Sequence, residues 1–217
     1  MTTHTQATTD GDQEEDPKVK ETATTKTDLS GESIRVWDPL VRIFHWTLAA
    51  SFAIAFLVED ELLGVHVWAG YLVLALIAIR LVWGLIGTRH ARFTDFVRGP
   101  RTVLTYLKDL AQFRAPRYLG HNPAGGIMIL LLLLSVGITG LTGLGVYGAE
   151  EFAGPLAYFM QGLPQDWGHS LEEVHEFFAY FSLVLIVFHL IGVLVSSLSH
   201  GENLVRSMVT GWKSKEV

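Results

Sequence analysis

Four histidines, His45, His66, His175 and His189, lie within or at the ends of long apolar stretches. An ionisable side chain at membrane depth is costly, so it marks either a functional site or a hydrogen bond to a neighbouring helix. Spacing helps to separate these readings. His175 and His189 are 14 residues apart. On an α-helix that is ~21 Å along the axis, and about 100° per residue returns the second ring to within roughly 40° of the first. One helix therefore presents two imidazoles on one face, near opposite surfaces of a bilayer. Imidazoles so placed can ligate a metal or a haem iron. The chain has no cysteine, which excludes disulfides, thiolate catalysis, iron–sulfur clusters and covalent Cys-x-x-Cys-His haem attachment. Any haem must be held non-covalently.

The apolar stretches carrying these residues are about 41–58, 62–86, 126–147 and 174–198. Each is close to the ~20 residues that span the hydrocarbon core as a helix. The first is the shortest, and Trp37 and Arg42 extend it into the interface. The third contains no charge and has no polar face, which argues against a soluble bundle. The expected fold is all-α: an integral membrane four-helix bundle over residues 34–205. Residues 1–33, rich in Thr, Asp, Glu and Lys, cannot bury enough surface to order and are expected to form a disordered cytoplasmic tail. They lack the basic start and cleavage site of a signal peptide, so the first span is expected to act as the targeting signal. Residues 206–217 form a second cytoplasmic tail. The net charge of −6 owes much to the acidic tail, and no nucleic-acid partner is expected.

Charge also orients the chain. Arg89, Arg92, Arg98, Arg101, Lys108, Arg114 and Arg117 fall between spans two and three, whereas residues 59–61 and 148–173 contain no Lys or Arg. The positive-inside rule then puts both termini and the basic loop in the cytoplasm. The stretch 95–114 has helical periodicity suited to the membrane surface. With this orientation His66 pairs in depth with His175 near the outer surface, and His45 with His189 near the inner one. Two facing imidazoles in a bundle core can hold a haem iron from both sides.

Two arginines suit haem carboxylates. Arg80 follows His66 by 14 residues and so reaches the inner level, and Arg42 lies one turn before His45. Either can bind a propionate bidentately, or both can snorkel to the headgroups. Phe178, Ala179, Ser182 and Leu185 lie between the span-four histidines, and Gly70 lies one turn beyond His66. These residues would admit a porphyrin edge or serve ordinary helix packing. His121 and His169, both in loops, are the runner-up ligands. His121, in the Gly-His-Asn-Pro turn before span three, would more readily cap that helix or meet a propionate, and His169, in the outer loop, could instead meet a redox partner.

The run RVWDPLVRIFHW (35–46), HVWAGY (66–71), RLVWGLIGTRHARF (80–93), GHNPAGG (120–126) and the pattern of His175, Glu176 and His189 together resemble the bacterial cytochrome b561 family. That family is related to the b-type cytochrome subunits of nickel-iron hydrogenases and membrane formate dehydrogenases. The resemblance covers about residues 35–200. It implies a four-helix dihaem cytochrome of the bacterial inner membrane, linked to quinone, with the ligand pairing argued above.

The function expected is electron transfer in a respiratory chain, with two non-covalent haems b held by His45, His66, His175 and His189. One terminus of the path is membrane quinone. The other is a periplasmic cytochrome, a dehydrogenase or hydrogenase subunit, or a small reductant such as superoxide. The chain would be an electron carrier or a quinone-linked oxidoreductase. The competing class is a non-redox transporter or metal-binding scaffold. Against it, the histidines fall into two distant pairs without a convincing carboxylate set.

Overall fold

Asp38 starts the first span. In a computed structural model, its Oδ1 accepts the Val41 N–H at 2.9 Å, ahead of Pro39 at the first helical position. A side-chain acceptor and a residue without an N–H together satisfy the orphan donors of a helix start. Helix α1 runs Pro39–Leu57 and α2 Leu63–Ile86. The other carboxylate oxygen of Asp38 accepts from Thr88 Oγ1 at 2.5 Å and Trp83 Nε1 at 3.2 Å, tying the start of α1 to the end of α2. Burial opposes the Asp38 charge, but these donors outweigh it and hold its carboxyl below the usual range. The structure describes residue 1 and residues 33–58, 62–164 and 166–215. Apart from Met1 and Ser33, the expected tail over 1–33 lies outside them.

After α2 come a 3-10 turn at Arg89–Ala91, α3 at Phe93–Phe96 and α4 at Pro100–Ala111. The basic stretch is thus two helices, because Pro100 disfavours helical backbone at Gly99. Helix α5 spans Pro123–Glu150, and Asn122 caps it by accepting the Gly125 N–H at 2.7 Å. Helix α6 is Ala157–Met160 and α7 is Asp166–His200. The last span thus begins eight residues before the expected 174. His169, expected in a loop, lies in the first turns of α7 beside Glu172 at 3.6 Å and Glu173 at 3.4 Å. Acidic side chains suit the positive end of a helix dipole, so this polar stretch continues the helix. At ~1.5 Å per residue α7 is about 52 Å long, well beyond a ~30 Å hydrocarbon core.

Four helices, α1, α2, α5 and α7, are long and apolar enough to cross a membrane. Few of their side chains are buried. Phe44, Val73, Ile77, Leu133 and Val136 form the core shared by α1, α2 and α5. Most other large apolar residues face outward, as expected where lipid is the solvent. Helices α5 and α7 meet through small residues. The hydroxyls of Ser135 and Ser182 lie 2.7 Å apart, and Ser182 is fully buried along with Ala179 and Leu185. For Ser182 the helix-packing role is therefore the observed one: without a hydroxyl-sized side chain the backbones could not approach so closely.

The C-terminal residues beyond the bundle form α8, Leu204–Thr210, and a strand β2, Trp212–Ser214, antiparallel to β1, Ser33–Arg35. The all-α expectation thus gains a short ribbon joining the segments that flank the four spans. Gly211 makes the turn at φ +89°, where a Cβ would sit 2.7 Å from the Trp37 carbonyl. Beneath the ribbon, Lys213 is buried and its Nζ reaches Glu202 at 2.9 Å and donates to the Tyr118 carbonyl at 3.3 Å. Arg117 pairs with the same carboxylate and donates to the Ser214 carbonyl. Burial would raise the Glu202 pKa, but Lys213 and Arg117 outweigh it and hold the carboxyl low.

Candidate functional site

The structure brings the four histidines together in two pairs at opposite ends of the bundle. At the end away from the β1–β2 ribbon, His66 in the first turns of α2 faces His175 on α7, with ring centroids 5.9 Å apart. At the ribbon end, His45 on α1 faces His189 on α7 at 6.4 Å. An imidazole nitrogen binds a transition metal at about 2.0–2.1 Å, so two rings bracketing one iron place their centroids roughly 6 Å apart. Both pairs meet that requirement.

The first pair is oriented by backbone. His66 Nδ1 lies 2.9 Å from the Ala55 carbonyl, and His175 Nδ1 lies 2.8 Å from the Thr139 carbonyl. A carbonyl only accepts, so each Nδ1 carries the proton and each lone pair sits on Nε2, the tautomer a ligand needs. Ala55 lies in the last turn of α1, where carbonyls run out of intrahelical donors. The rings border a cleft lined by Gly70, Tyr71, Gly143 and Tyr147. A Cβ at Gly70 would meet nothing within 4 Å, so the expected open approach there is present.

Two arginines, Arg42 and Arg80, lie at the same end of the bundle as the second pair. His45 Nδ1 is buried with no partner among the described residues, and so are Arg42 Nε and Arg80 Nη1. Arg80 is only 3% exposed and lies 5.0 Å from the centroid of the Phe93 ring. It turns into the protein instead of snorkelling to a headgroup. Arg42 reaches out of α1 and donates through Nη1 to the Val209 carbonyl at 2.6 Å. Buried donors without acceptors are expensive, and a carboxylate-bearing ligand would satisfy them.

His121 does not cap α5, a role Asn122 takes, and its buried Nδ1 has no hydrogen-bond partner among the described residues. Its ring lies between Trp37, centroids 4.5 Å apart, and Phe96, 4.7 Å apart. Burial, aided by Arg80 and Lys213, pushes its pKa down to about 3. The unfolded chain takes up this proton below pH ~6.5 and the folded chain refuses it until far lower, so the group withdraws stability as pH falls through that window. His121→Phe is expected to retain the ring packing and to flatten the loss of thermal stability between about pH 6.5 and 4, read by melting in detergent. An unchanged slope would refute this role.

Sequence reasoning missed Gly143. A Cβ there would meet His175 Cε1 at 2.8 Å and Nδ1 at 3.1 Å. The available signal was the three-residue spacing of Gly137, Gly140 and Gly143 in GITGLTG. Among the described residues, no three His, Asp or Glu side chains cluster as for a bare metal ion.

A model of prokaryotic cytochrome b561 matches residues 36–211. The chain belongs to that family. It is a multi-pass bacterial membrane protein and a b-type cytochrome of electron transfer, with haem b as the group its family implies. Curated relatives are similar at low identity. A probable Ni/Fe-hydrogenase B-type cytochrome subunit of Rhizobium leguminosarum bv. viciae is 23% identical over 215 residues, covering 84% of this chain and 90% of that protein. The protein of the same description from Azotobacter vinelandii is 22% identical over 218 residues, covering 83% and 88%. No solved structure matches the chain significantly.

Proposed function

We propose that this cytochrome holds two haems b, one between His66 and His175 and one between His45 and His189, and passes electrons between a redox partner and the membrane quinone pool. The observation that carries the reading is the pair of facing imidazoles at each end of the bundle, 5.9 and 6.4 Å apart. Arg80 and Arg42, with buried donors lacking acceptors, would take propionates of the haem at the ribbon end. Imidazoles on both faces leave the iron no open position, so what a bound haem supplies is one-electron exchange. The names of the relatives favour a hydrogenase as the partner.

Pyridine haemochrome analysis of the purified protein is expected to give about two extractable haems b per chain. A ratio near zero refutes the reading, and a ratio near one refutes half of it. The basic α3–α4 region and both termini lie in the cytoplasm, with 148–173 on the periplasmic side, because that segment holds no Lys or Arg. Reporter fusions within 100–111 and after 217 are expected to read cytoplasm, and one within 152–164 periplasm. Inverted signals would reverse the assignment.

A further inference from the structure

Helix α4 ends on a residue ill suited to its backbone. The Arg114 N–H donates to the Asp109 carbonyl at 2.8 Å, and the Phe113 N–H to the Leu110 carbonyl at 3.0 Å. This pair of bonds closes a helix through one left-handed residue, a place that glycine fills without steric cost. Here Phe113 fills it, at φ +54°. The phenyl ring gives little back to the fold, since the residue is 82% exposed. A strained position kept by an exposed aromatic ring points to something outside the protein that holds the ring.

The rest of α4 identifies the occupant. Tyr106 is buried and meets the Tyr118 ring, centroids 5.8 Å apart, which fixes the inward side of the helix. Lys213 holds the Tyr118 carbonyl, so α4 lies at the ribbon end of the bundle. At about 100° per residue, Leu107 lies roughly 100° round from Tyr106 and Leu104 about 160°. Both are exposed, Leu104 at 67%. Lys108 and Arg101 follow at roughly 200° and 220°, beside Leu104. These two and Arg114 are exposed and pair with no carboxylate among the described residues. An exposed apolar arc edged by unpaired cations is the pattern of a helix lying in a bilayer interface, where basic residues meet anionic lipid. Helices α2 and α5, which flank α4 in the chain, are both long and apolar enough to cross a membrane, so every copy of the protein brings a bilayer surface within reach.

We propose that α4 anchors the leaflet at the ribbon end. Leu104, Leu107 and Phe113 enter the acyl boundary, and Arg101, Lys108 and Arg114 take anionic phospholipid headgroups. Phe152, the other non-glycine residue of positive φ among the described residues, is also exposed. Residues 148–173 hold no Lys or Arg, so it lacks the headgroup partners of Phe113.

The chain has no cysteine, so Leu107→Cys or Thr105→Cys each gives one site for a spin label. The haem-loaded protein is placed in phosphatidylcholine vesicles with and without phosphatidylglycerol. The label at 107 should be open to oxygen and shielded from a water-soluble nickel chelate, and the label at 105, about 160° away round the helix, the reverse. Phosphatidylglycerol should deepen the 107 label, and Arg101→Gln with Lys108→Gln should abolish that response. Phe113→Gly should make the label shallower in both lipids, although glycine suits this backbone and leaves the helix end sound. If the chelate reaches 107 as freely as 105, α4 lies in water. If neither reagent reaches 107, protein covers this face, whether a second copy or another partner. Either result overturns the proposal, as does an unchanged depth in Phe113→Gly or a phosphatidylglycerol response that survives the loss of both cations.

Discussion

Alanine at His66 or at His175 is expected to remove one and the same haem, and alanine at His45 or His189 the other. This is the largest effect expected, a loss of about half the haem absorbance in each single variant, because five-coordinate iron in an apolar pocket is poorly retained or turns high-spin. The pairing follows from facing rings on α2 and α7 at one end and on α1 and α7 at the other. His169→Ala is the internal control. That ring is three-quarters exposed and engaged with Glu172 and Glu173, so both haems should persist. Spectra of each single variant with redox titration decide the matter. If His45→Ala and His66→Ala remove the same component, or His169→Ala removes one, the pairing is wrong.

The second large effect is expected at the ribbon. Glu202→Gln leaves Lys213 and Arg117 as cations beneath β1 and β2 without their shared carboxylate. Glu202 and Arg117 are only partly buried, so the loss is that of a charge-assisted hydrogen bond, about 1.5–3 kcal/mol. Tenfold in an equilibrium is about 1.4 kcal/mol, so amide exchange across Trp212–Ser214 should speed by about tenfold or more. Haem content should stay unchanged, since no histidine of the two pairs belongs to this cluster. The wild type should show the same opening in acid. The folded Glu202 carboxyl is held below its ordinary 4.5. Its contribution is therefore complete above that value and is lost as pH falls through the lower folded one. Unaltered exchange in Glu202→Gln would show that the ribbon is held by its backbone pairing alone.

The four spans and the depths of their histidines were legible because hydropathy and a fixed rise per residue act locally along the chain. Other features were not legible because they depend on contacts between distant residues. The ribbon joins residues about 180 positions apart, and neither Ile34 nor Lys213 carries a local signal for the other. Ser182 read equally well as a porphyrin neighbour or as helix packing until Ser135 was seen opposite it. Arg80 could not be directed from sequence, since only the position of Phe93 and the closed end of the bundle show that it turns inward. The early start of α7 was hidden because the polar run 166–173 fails a hydropathy criterion while satisfying the electrostatics of a helix start.

The ribbon also bears on how the protein is made. Strand β1 leaves the ribosome before all four spans and its partner β2 after them. At ~5–20 residues per second the intervening chain takes roughly 10–35 s to synthesise. Throughout that interval Ser33–Arg35 has no strand to pair with and Glu202 has not yet been made. Closure of the ribbon therefore comes after every span has been synthesised, and a chain truncated anywhere before Trp212 would lack it.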